Sequence, residues 1–317
     1  MRLTEAIEAL LIATRADGRS SATVATYRKR LKPFLAFFGD VSVDSLTVSE
    51  IRRYVAHLRD QTTLWADHPM HEGRAGVLST HTIAGHVRAF KRLFNWLEGE
   101  GEIEVNPTRR IKTPKPKQRE PKAIDFQDFL ALLETTRGEK LADVRDRAIL
   151  LFLSDTGCRV KGLCGLRAKD LHFDMHLATV TEKGDQTRLV PVSEMTEAAL
   201  RSWLDVRPTD QGPWLFVSLG NKATGRLSRN GVRQMLKRRA RQAGVSGRVN
   251  PHAFRHAFAR EFLMSGGDLG TLADLLGHSS VEVTHASYAI FTIKELQEKH
   301  RRHSPIARMM RERNENS

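Results

Sequence analysis

Apolar residues recur every three to four positions through most of the first hundred residues, and this spacing predicts amphipathic α-helices. The segment 20–39 opens with Ser20 and Ser21, which are suitable capping residues for a helix. Its apolar face consists of Val24, Tyr27, Leu31, Leu35 and Phe38. Pro33 lies within this pattern, and we expect it to kink or shorten the helix.

Two further segments of the first hundred residues repeat the helical pattern. Residues 46–58 present Ile51, Val55 and Leu58 on one face. Residues 79–101 place five apolar residues inward, namely Ile83, Val87, Phe90, Phe94 and Leu97, and three basic residues outward, namely Arg88, Lys91 and Arg92. Residues 61–78 lack the pattern and predict a loop that is long for a compact bundle.

The composition changes between residues 108 and 122, where the chain reads TRRIKTPKPKQREPK. This stretch holds three prolines, seven basic residues and one acid. Proline disfavours helix and spaces the chain out, while the basic residues favour contact with phosphates. We interpret 108–122 as a linker that lies along a polyanion, between a helical domain at 1–107 and a second domain at 123–317.

The second half of the chain alternates helical and strand-like patterns. Residues 143–153 predict an apolar helix that ends near Gly157, and 176–192 predict a β-hairpin around a Lys-Gly-Asp turn. A short strand is expected at 214–218. Helices are expected at 227–244 and 250–267 and in the C-terminal tail. The predicted fold is therefore mostly α with a small β-sheet.

Charge is the feature of the composition that bears most on function. The chain has 317 residues, of which 40% are apolar and 28% charged, a balance typical of folded domains. Its 51 Lys and Arg exceed its 37 Asp and Glu, so the formal net charge is +14. Such an excess favours a polyanionic partner, most commonly nucleic acid. An anionic membrane surface is the competing interpretation, but no separate basic amphipathic helix supports it.

Neither a membrane span nor a metal site is predicted. No apolar run approaches the roughly 18 residues that a span needs, and the N-terminus carries acids and lacks a small-residue cleavage site. Cys158 and Cys164 are the only cysteines, and no further Cys or His stands at zinc-site spacing. We expect buried thiols, no metal and a reduced, cytoplasmic protein.

Residues 250–259, NPHAFRHAFA, place three groups that are expensive to bury within an apolar helix. His252, Arg255 and His256 are three or four positions apart, so they share roughly one helical face. Phe254 and Phe258 fall on another side. A solvated first turn would explain this stretch equally well when it is taken alone.

Three further short motifs in the second half of the chain also contain polar residues next to glycines or apolar segments. TGCR ends at Arg159, KGDQTRLVPV begins at Lys183, and LLGHSS carries His278, followed by Tyr288. In this order, and with HAFR, they resemble the signature of the tyrosine recombinase (phage integrase) family. The resemblance covers essentially the whole chain. It implies a SAM-like core-binding domain, a catalytic domain from about residue 123, and a clamp of the two around DNA.

The resemblance also implies the chemistry, in which a tyrosine hydroxyl attacks a DNA phosphodiester to leave a 3′-phosphotyrosine. The implied catalytic residues are Arg159, Lys183, His252, Arg255, His278 and Tyr288. The arginines would stabilise the phosphate and Lys183 would protonate the leaving 5′-oxygen. His252 would be the base and His278 a hydrogen-bond donor to the phosphate. No metal or cofactor is required, because the phosphotyrosine retains the energy of the broken bond.

The expected partner is double-stranded DNA with inverted-repeat core sites, bound by a homotetramer. The expected DNA contacts, from the outward faces and the linker, are Arg88, Lys91, Arg92, Arg110, Lys115 and Lys117. The tail beyond about Thr292 is expected to dock on a neighbouring subunit through Leu296, Ile306, Met309 and Met310.

Two positions depart from the family pattern, and one remains ambiguous. The family usually has Glu or Asp three residues after the first arginine, whereas this chain has Gly162. Ten residues rather than nine separate His278 from Tyr288, and we expect the extra one in a loop at 279–287. His256 is interpreted as structural.

Several alternatives remain open on the sequence. A type IB topoisomerase shares the Arg, Lys, Arg, His, Tyr set, and a non-catalytic DNA-binding protein would share the charge and the helices. Within the recombinases, the long loop at 61–78 and the divergence at Gly162 and at 279–287 favour a mobile-element or phage integrase over a Xer-type enzyme that resolves chromosome dimers.

Overall fold

The computed structural model describes residues 1–64, 74–116, 123–182, 186–220, 225–278 and 280–288, together with 297 and 300. The chain divides into two compact units, Met1–Arg119 and Glu120–Ser317. Both are mainly helical, and a three-stranded sheet lies in the second, so the predicted fold class is confirmed. Within the described residues, no helix is both long and apolar enough to cross a membrane.

Four α-helices form the described part of the first unit. They are α1 (Leu3–Ala16), α2 (Ser21–Phe38), α3 (Val48–Asp60) and α4 (Thr80–Gly99). The hydroxyls of Ser20, Thr47 and Ser79 accept hydrogen bonds from backbone N–H groups of the first turns of α2, α3 and α4, which is why these helices begin where they do. The three helices predicted from the apolar pattern are confirmed.

The helix α2 continues through Pro33, so the expectation that proline shortens it is wrong. Proline has no N–H to donate to the carbonyl of Lys29, and this loss should weaken the helix. Leu31 and Phe34 flank Pro33 and are fully buried. Their burial on both sides of the proline offsets the missing hydrogen bond.

The core of the first unit is rich in aromatic rings. Phe34 lies 4.9 Å from Phe38, 5.0 Å from Tyr54, 5.4 Å from Phe90 and 6.2 Å from Phe94, measured between ring centroids. All five apolar residues predicted to face inward from α4 are buried. In α2, Phe34 is buried more deeply than the predicted Leu35, so the apolar face is turned slightly from the expected one.

The predicted loop and linker differ from expectation. Residues 61–78 contain two short antiparallel strands, β1 (Thr63–Leu64) and β2 (Arg74–Ala75), with 65–73 outside the described residues. In the predicted linker, Thr108 and Ile111 are buried against the first unit. Ile111 is apolar and joins that core, so the chain packs with the first unit at least as far as this residue.

The second unit holds eight helices and three strands within the described residues. The helices are α5 (Phe126–Glu134), α6 (Leu141–Thr156), α7 (Val160–Gly165), α8 (Glu194–Val206), α9 (Arg229–Gln242), α10 (Pro251–Met264), α11 (Leu269–Leu276) and α12 (Val281–Tyr288). The strands β3 (Leu171–His172), β4 (Leu177–Thr181) and β5 (Thr187–Pro191) form an antiparallel sheet in that order. The predicted hairpin is confirmed as β4 and β5, and β3 extends it.

Two predictions for the second unit are wrong. Residues 214–218 form no strand and make only isolated bridges, Trp214 with Arg167 and Val217 with Arg226. Their apolar run is explained by burial in the core rather than by a sheet. Most of the segment expected to be a loop, 279–287, belongs to α12.

Candidate active site

Two glycines end helices immediately before predicted site residues. Gly157 ends α6 with φ 56°, and Arg159 follows two residues later, just before α7. Gly277 ends α11 with φ 63°, and His278 is the next residue. Glycine adopts this left-handed conformation without the steric cost of a Cβ. At Gly157 a Cβ would also lie 2.6 Å from the ring of Phe258, so both turns depend on glycine.

Arg255 is buried in α10 and donates hydrogen bonds to four groups. Its Nη1 donates to the carbonyl of Gly157 at 2.8 Å, and its Nη2 donates to the carbonyl of Leu276 at 2.8 Å. Nη2 also donates to Nε2 of His278 at 2.9 Å, and Nε donates to the hydroxyl of Tyr288 at 3.1 Å. This guanidinium therefore ties the ends of α6 and α11 to two other predicted site residues.

The tyrosine predicted to be the nucleophile lies within this cluster. The ring of Tyr288 stacks on that of His278, with centroids 5.8 Å apart and planes 6° apart. His256 contacts it from another side, at 5.2 Å and 57°. With the bond from Arg255, these contacts fix the phenol ring and leave its hydroxyl beside a guanidinium.

His278 has a defined tautomer. An arginine can only donate, so Nε2 of His278 accepts from Arg255 and carries no proton. Nδ1 therefore donates to the hydroxyl of the buried Thr284 at 2.7 Å. Burial, together with the charges of Arg255 and Arg159, lowers the pKa of His278 to about 4. The imidazole is neutral at physiological pH.

Arg159 is held by the buried carboxylate of Glu182. Oε1 of Glu182 accepts from the backbone N–H of Arg159 at 2.9 Å, and Oε2 accepts from its Nη1. Arg188 donates from Nη2 to the same carboxylate at 3.2 Å. Burial would raise the pKa of Glu182, but the hydrogen bond from Arg159 and the two arginine charges outweigh it. The resulting pKa is below its usual range, so the carboxylate is ionised at neutral pH.

The two histidines of α10 have different surroundings. His252 is exposed on the first turn, and burial of part of its ring together with the charges of Arg255 and Arg233 lowers its pKa. His256 is half-buried, and burial lowers its pKa as well, followed by the charges of His252 and Arg255. Its Nδ1 is buried and finds no hydrogen-bond partner among the described residues. Its ring packs at a tilt against that of Tyr288, and a structural role remains the prediction for it.

An open cavity of about 470 Å³ adjoins these groups. Its lining combines basic, polar and histidine side chains, as a site for an anion requires. The lining residues are Arg159, Glu182, Gln186, Thr187, Arg188, Gly277, His278 and Val283.

Both cysteines are buried, as predicted. Burial raises the pKa of the Cys158 thiol and of the Cys164 thiol to about 11. Both thiols are therefore protonated at neutral pH, and Cys158 is a poor candidate nucleophile although it precedes Arg159.

The structure brings together four of the six predicted catalytic residues by contact or at the cavity, namely Arg159, Arg255, His278 and Tyr288. Arg159 and Arg255 meet through the carbonyl of Leu276. His252 lies one helical turn before Arg255 on α10. Lys183 lies outside the described residues, directly after Glu182.

The residues of the first unit that are predicted to contact DNA differ in their exposure and in their partners within the protein. Arg88, Arg110 and Lys115 are exposed. Lys91 donates from Nζ to the carbonyl of Ile111 at 2.8 Å, and Arg92 pairs with Asp17 at 3.8 Å. Lys117 lies outside the described residues.

Three residues of the candidate site were not predicted from the sequence, namely Glu182, Arg188 and Thr284. Glu182 is the acid before Lys183 on the predicted hairpin, and the absence of an acid at Gly162 was a reason to look for one elsewhere. Arg188 belongs to the quoted hairpin motif but received no role. Thr284 carried no signal, since only the contact with His278 reveals it.

Comparison with known proteins agrees with this geometry. The family model described as "Phage integrase family" matches residues 122–292, and "Phage integrase, N-terminal SAM-like domain" matches residues 9–67. The chain is 30% identical over 300 residues to the tyrosine recombinase XerC of Thermodesulfovibrio yellowstonii, covering 92% of this chain and 93% of that protein. It is 34% identical over 272 residues to XerC of Alcanivorax borkumensis, covering 84% and 82%.

A solved structure shares the fold. The Tn1549 transposon integrase, solved in complex with a circular intermediate DNA, superposes with a TM-score of 0.73 at 19% identity, covering 94% of this chain and 98% of that one. A helical N-terminal domain followed by a domain with a clustered arginine, histidine and tyrosine site defines the class of the tyrosine recombinases. The chain belongs to the phage integrase family and is a site-specific recombinase.

Proposed function

We propose that this recombinase cuts and rejoins DNA at the cluster around Arg255, through a 3′-phosphotyrosine on Tyr288 and a Holliday junction. One observation carries the proposal: the Tyr288 hydroxyl accepts a hydrogen bond from Nε of Arg255 at 3.1 Å, in the same chain. A guanidinium at this position stabilises negative charge on the phenol oxygen as it attacks. The reaction uses no metal and no nucleotide, because the bond energy is kept in the phosphotyrosine.

The two arginines divide the work on the phosphate. Most N–H groups of Arg255 donate hydrogen bonds within the protein, to Gly157, Leu276, His278 and Tyr288. Its main role is therefore to hold the side chains of the site in place. Arg159 is bound through Nη1, and none of the described residues accepts a hydrogen bond from its Nε or Nη2. This edge of the guanidinium can bind two phosphate oxygens as a fork.

The protons move through His252 and Lys183. Tyr288 attacks phosphorus as His252 takes the phenol proton, the bond from phosphorus to the 5′-oxygen breaks, and Lys183 protonates that oxygen. A lowered pKa keeps His252 neutral near pH 7, as a base must be. His278 accepts at Nε2 in this arrangement, so to donate to a phosphate it must lose the bond from Arg255 and gain a proton there.

Trapping on a suicide DNA substrate tests the assignment of the nucleophile. Tyr288→Phe should retain DNA binding and lose all covalent adduct, since it lacks only the attacking oxygen. Mass spectrometry of the wild-type adduct should place the nucleotide on the peptide that contains Tyr288. An adduct on any other residue would overturn the assignment.

Lys183 has a separate test. Lys183→Ala should cleave ordinary DNA about 10²–10⁴ times more slowly, and a substrate whose bridging 5′-oxygen is replaced by sulfur should largely restore the rate, because sulfur leaves without protonation. Failure of the rescue would exclude the role of general acid.

We propose that the substrate is duplex DNA with inverted-repeat core sites, held by a homotetramer in which each chain closes on the duplex as a clamp. Support comes from the net charge of +14 and from the exposed Arg88, Arg110 and Lys115 of the first unit. Lengthening the connection after Ile111 should then weaken binding far more than it disturbs either unit. Binding should fall steeply with salt, because phosphates are neutralised.

The C-terminal tail is proposed to dock on a neighbouring subunit. The second unit carries an apolar pocket of about 370 Å³ that includes Phe126, Phe129 and Phe262, and Asp125 and Glu261 also line it. These groups are complementary to the apolar and basic tail. Truncation after Phe291 should preserve DNA binding and abolish strand exchange, and unchanged recombination would refute the docking.

We propose two biological roles for the reaction, in both of which the enzyme acts on DNA in the cytoplasm. Integration or excision of a mobile element is the first, favoured by the divergence at Gly162. Resolution of chromosome dimers is the second, favoured by relatives that are called XerC. Deleting the gene separates them: retained chromosome dimers support the second role, and loss of element excision supports the first.

A further inference from the structure

The contact between α7 and β4 depends on the absence of a side chain at Gly162. This glycine is buried on α7, and β4 passes directly over it. A Cβ built there would lie 2.5 Å from Cγ1 of Val180 and 3.3 Å from Cγ of Glu182. Even alanine at 162 would therefore force a shift of Val180, which is fully buried on β4.

This close approach sets where the carboxylate of Glu182 lies. Glu182 is only 4% exposed, and both of its oxygens are engaged by arginines, Oε2 by Arg159 and Oε1 by Arg188 and the backbone of Arg159. Its backbone carbonyl accepts from Nζ of Lys161 at 3.2 Å. The end of β4 is thus fixed to the start of α7 at three points.

An ionised carboxylate this close to a phosphate site carries an electrostatic disadvantage. It repels the anionic substrate and neutralises part of the charge of Arg159 and Arg188. Arg159 needs only one edge to bind a phosphate, however, and Glu182 occupies Nη1 on the other side. The gain is a guanidinium fixed in one orientation before the substrate arrives.

We propose that Glu182 is the positioning residue for Arg159, and that Gly162 is required because it admits Glu182 to that place. The inference rests on the catalytic role proposed for Arg159. Glu182 acts through Arg159 and touches neither the nucleophile nor the reacting atoms. Loss of its charge should therefore lower the rate of cleavage without weakening the affinity for DNA.

The test is single-turnover cleavage of a suicide substrate by the full chain, with DNA affinity and thermal unfolding measured on each variant. Glu182→Gln keeps the size and removes the charge. We expect cleavage to fall by about 10-fold to 10²-fold, less than the roughly 10²–10³ expected for Arg159→Ala, which removes the donors altogether. DNA affinity should be unchanged or tighter. A merely structural role would weaken both together.

The matched control is Glu197→Gln. Glu197 lies on α8 and also pairs with an arginine, Arg201, and with His176. It lies outside the cavity, so its cleavage rate should equal that of the wild type. Glu182→Asp keeps the charge on a shorter side chain and should fall between the wild type and Glu182→Gln, and this order decides the question if Glu182→Gln does not fold.

A double variant separates positioning from an independent effect. On the Arg159→Ala background, Glu182→Gln should change cleavage by less than about twofold, because the residue it positions is gone. If the reductions in cleavage rate of the two single variants multiply in the double variant, the inference is wrong. Full activity of Glu182→Gln beside an impaired Arg159→Ala would overturn it while leaving the proposed function intact. Full activity of Arg159→Ala would overturn the proposed function and this inference with it.

Discussion

In the first unit, Phe34 is surrounded by the rings of Phe38, Tyr54, Phe90 and Phe94, and among the described residues of that unit no Asp, Glu, Lys or Arg is buried. The second unit buries charge beside its apolar core. Where the structure describes this unit, the buried charged residues are Arg145, Asp146, Glu182, Arg239 and Arg255. Both units are mainly helical, so helix content does not explain this difference in buried charge.

Buried charge costs free energy unless it is paired and fully hydrogen-bonded, so a domain keeps it where a defined geometry is needed. The second unit has two such clusters. Asp146 is fully buried and pairs with Arg145, Arg238 and Arg239, away from the cavity. Glu182 and Arg255 belong to the candidate active site. The first cluster fixes the fold and the second fixes the site, whereas the first unit relies on apolar packing.

The largest effect on stability is expected from Asp146→Asn. The substitution keeps the shape but leaves three arginines without their shared counter-charge, which should lower the free energy of unfolding by about 3–5 kcal/mol. Hydrogen exchange should show lost protection in α6 and α9. Cleavage per folded molecule should stay near the wild-type rate, and a selective loss of cleavage would contradict the separation of the two clusters.

Arg255→Lys should have the opposite outcome. Lysine keeps the charge but cannot reach four partners as a planar fork does. We expect cleavage to fall by about 10²–10³, with DNA binding retained and a smaller loss of stability than in Asp146→Asn. Single-turnover cleavage and thermal unfolding measure both quantities, and cleavage at the wild-type rate would show that the fork is not needed.

Phe34→Leu tests whether the first unit is stabilised by apolar packing. Leucine keeps the burial but removes the ring contacts with four neighbours, so the free energy of unfolding should fall by about 1 kcal/mol. Loss of exchange protection should be confined to α2, α3 and α4. If α6 and α9 lose protection as well, the two cores are not independent.

The smallest effect concerns pH. The pKa of His278 is lowered from 6.5 to about 4 in the fold, so between these values the unfolded chain binds the extra proton more readily. Stability from this group is therefore complete above about pH 6.5 and is lost as the pH falls towards 4. The ring of His278 is only half-buried, so solvent screening reduces this contribution to about 1 kcal/mol, and His278→Gln should reduce the fall in melting temperature over this window by about 2–4 °C. His285→Gln, at an exposed position on α12, should leave the fall unchanged.

Much of the local structure could be predicted from the sequence. Spacing of apolar residues identified α2, α3, α4, α6, α9 and α10, and capping residues and the glycine after α6 marked their ends. Alternation around a turn identified the hairpin. These features depend on neighbours within a few positions, and the sequence displays such neighbours directly.

Prediction from neighbouring residues was wrong where packing between distant segments determines the local structure. Residues 214–218 look like a strand because they are apolar, but they lack a partner strand. Pro33 looks like a helix breaker, but the burial of Leu31 and Phe34 outweighs the lost hydrogen bond. Ile111 looks like part of a linker, but it joins a core.

The sequence by itself determined the fold class, the family and the candidate catalytic residues, because motifs such as TGCR and HAFR carry the residue types that phosphate chemistry needs. Only the tertiary structure decided how those residues are held. Arg255 meets Gly157 across 98 residues and Tyr288 across 33, and Arg159 meets Glu182 across 23. A hydrogen bond requires two atoms within about 3 Å and a suitable angle. In the unfolded chain, residues this far apart in sequence are free to lie at many distances from each other. Only folding brings the partners within hydrogen-bonding distance.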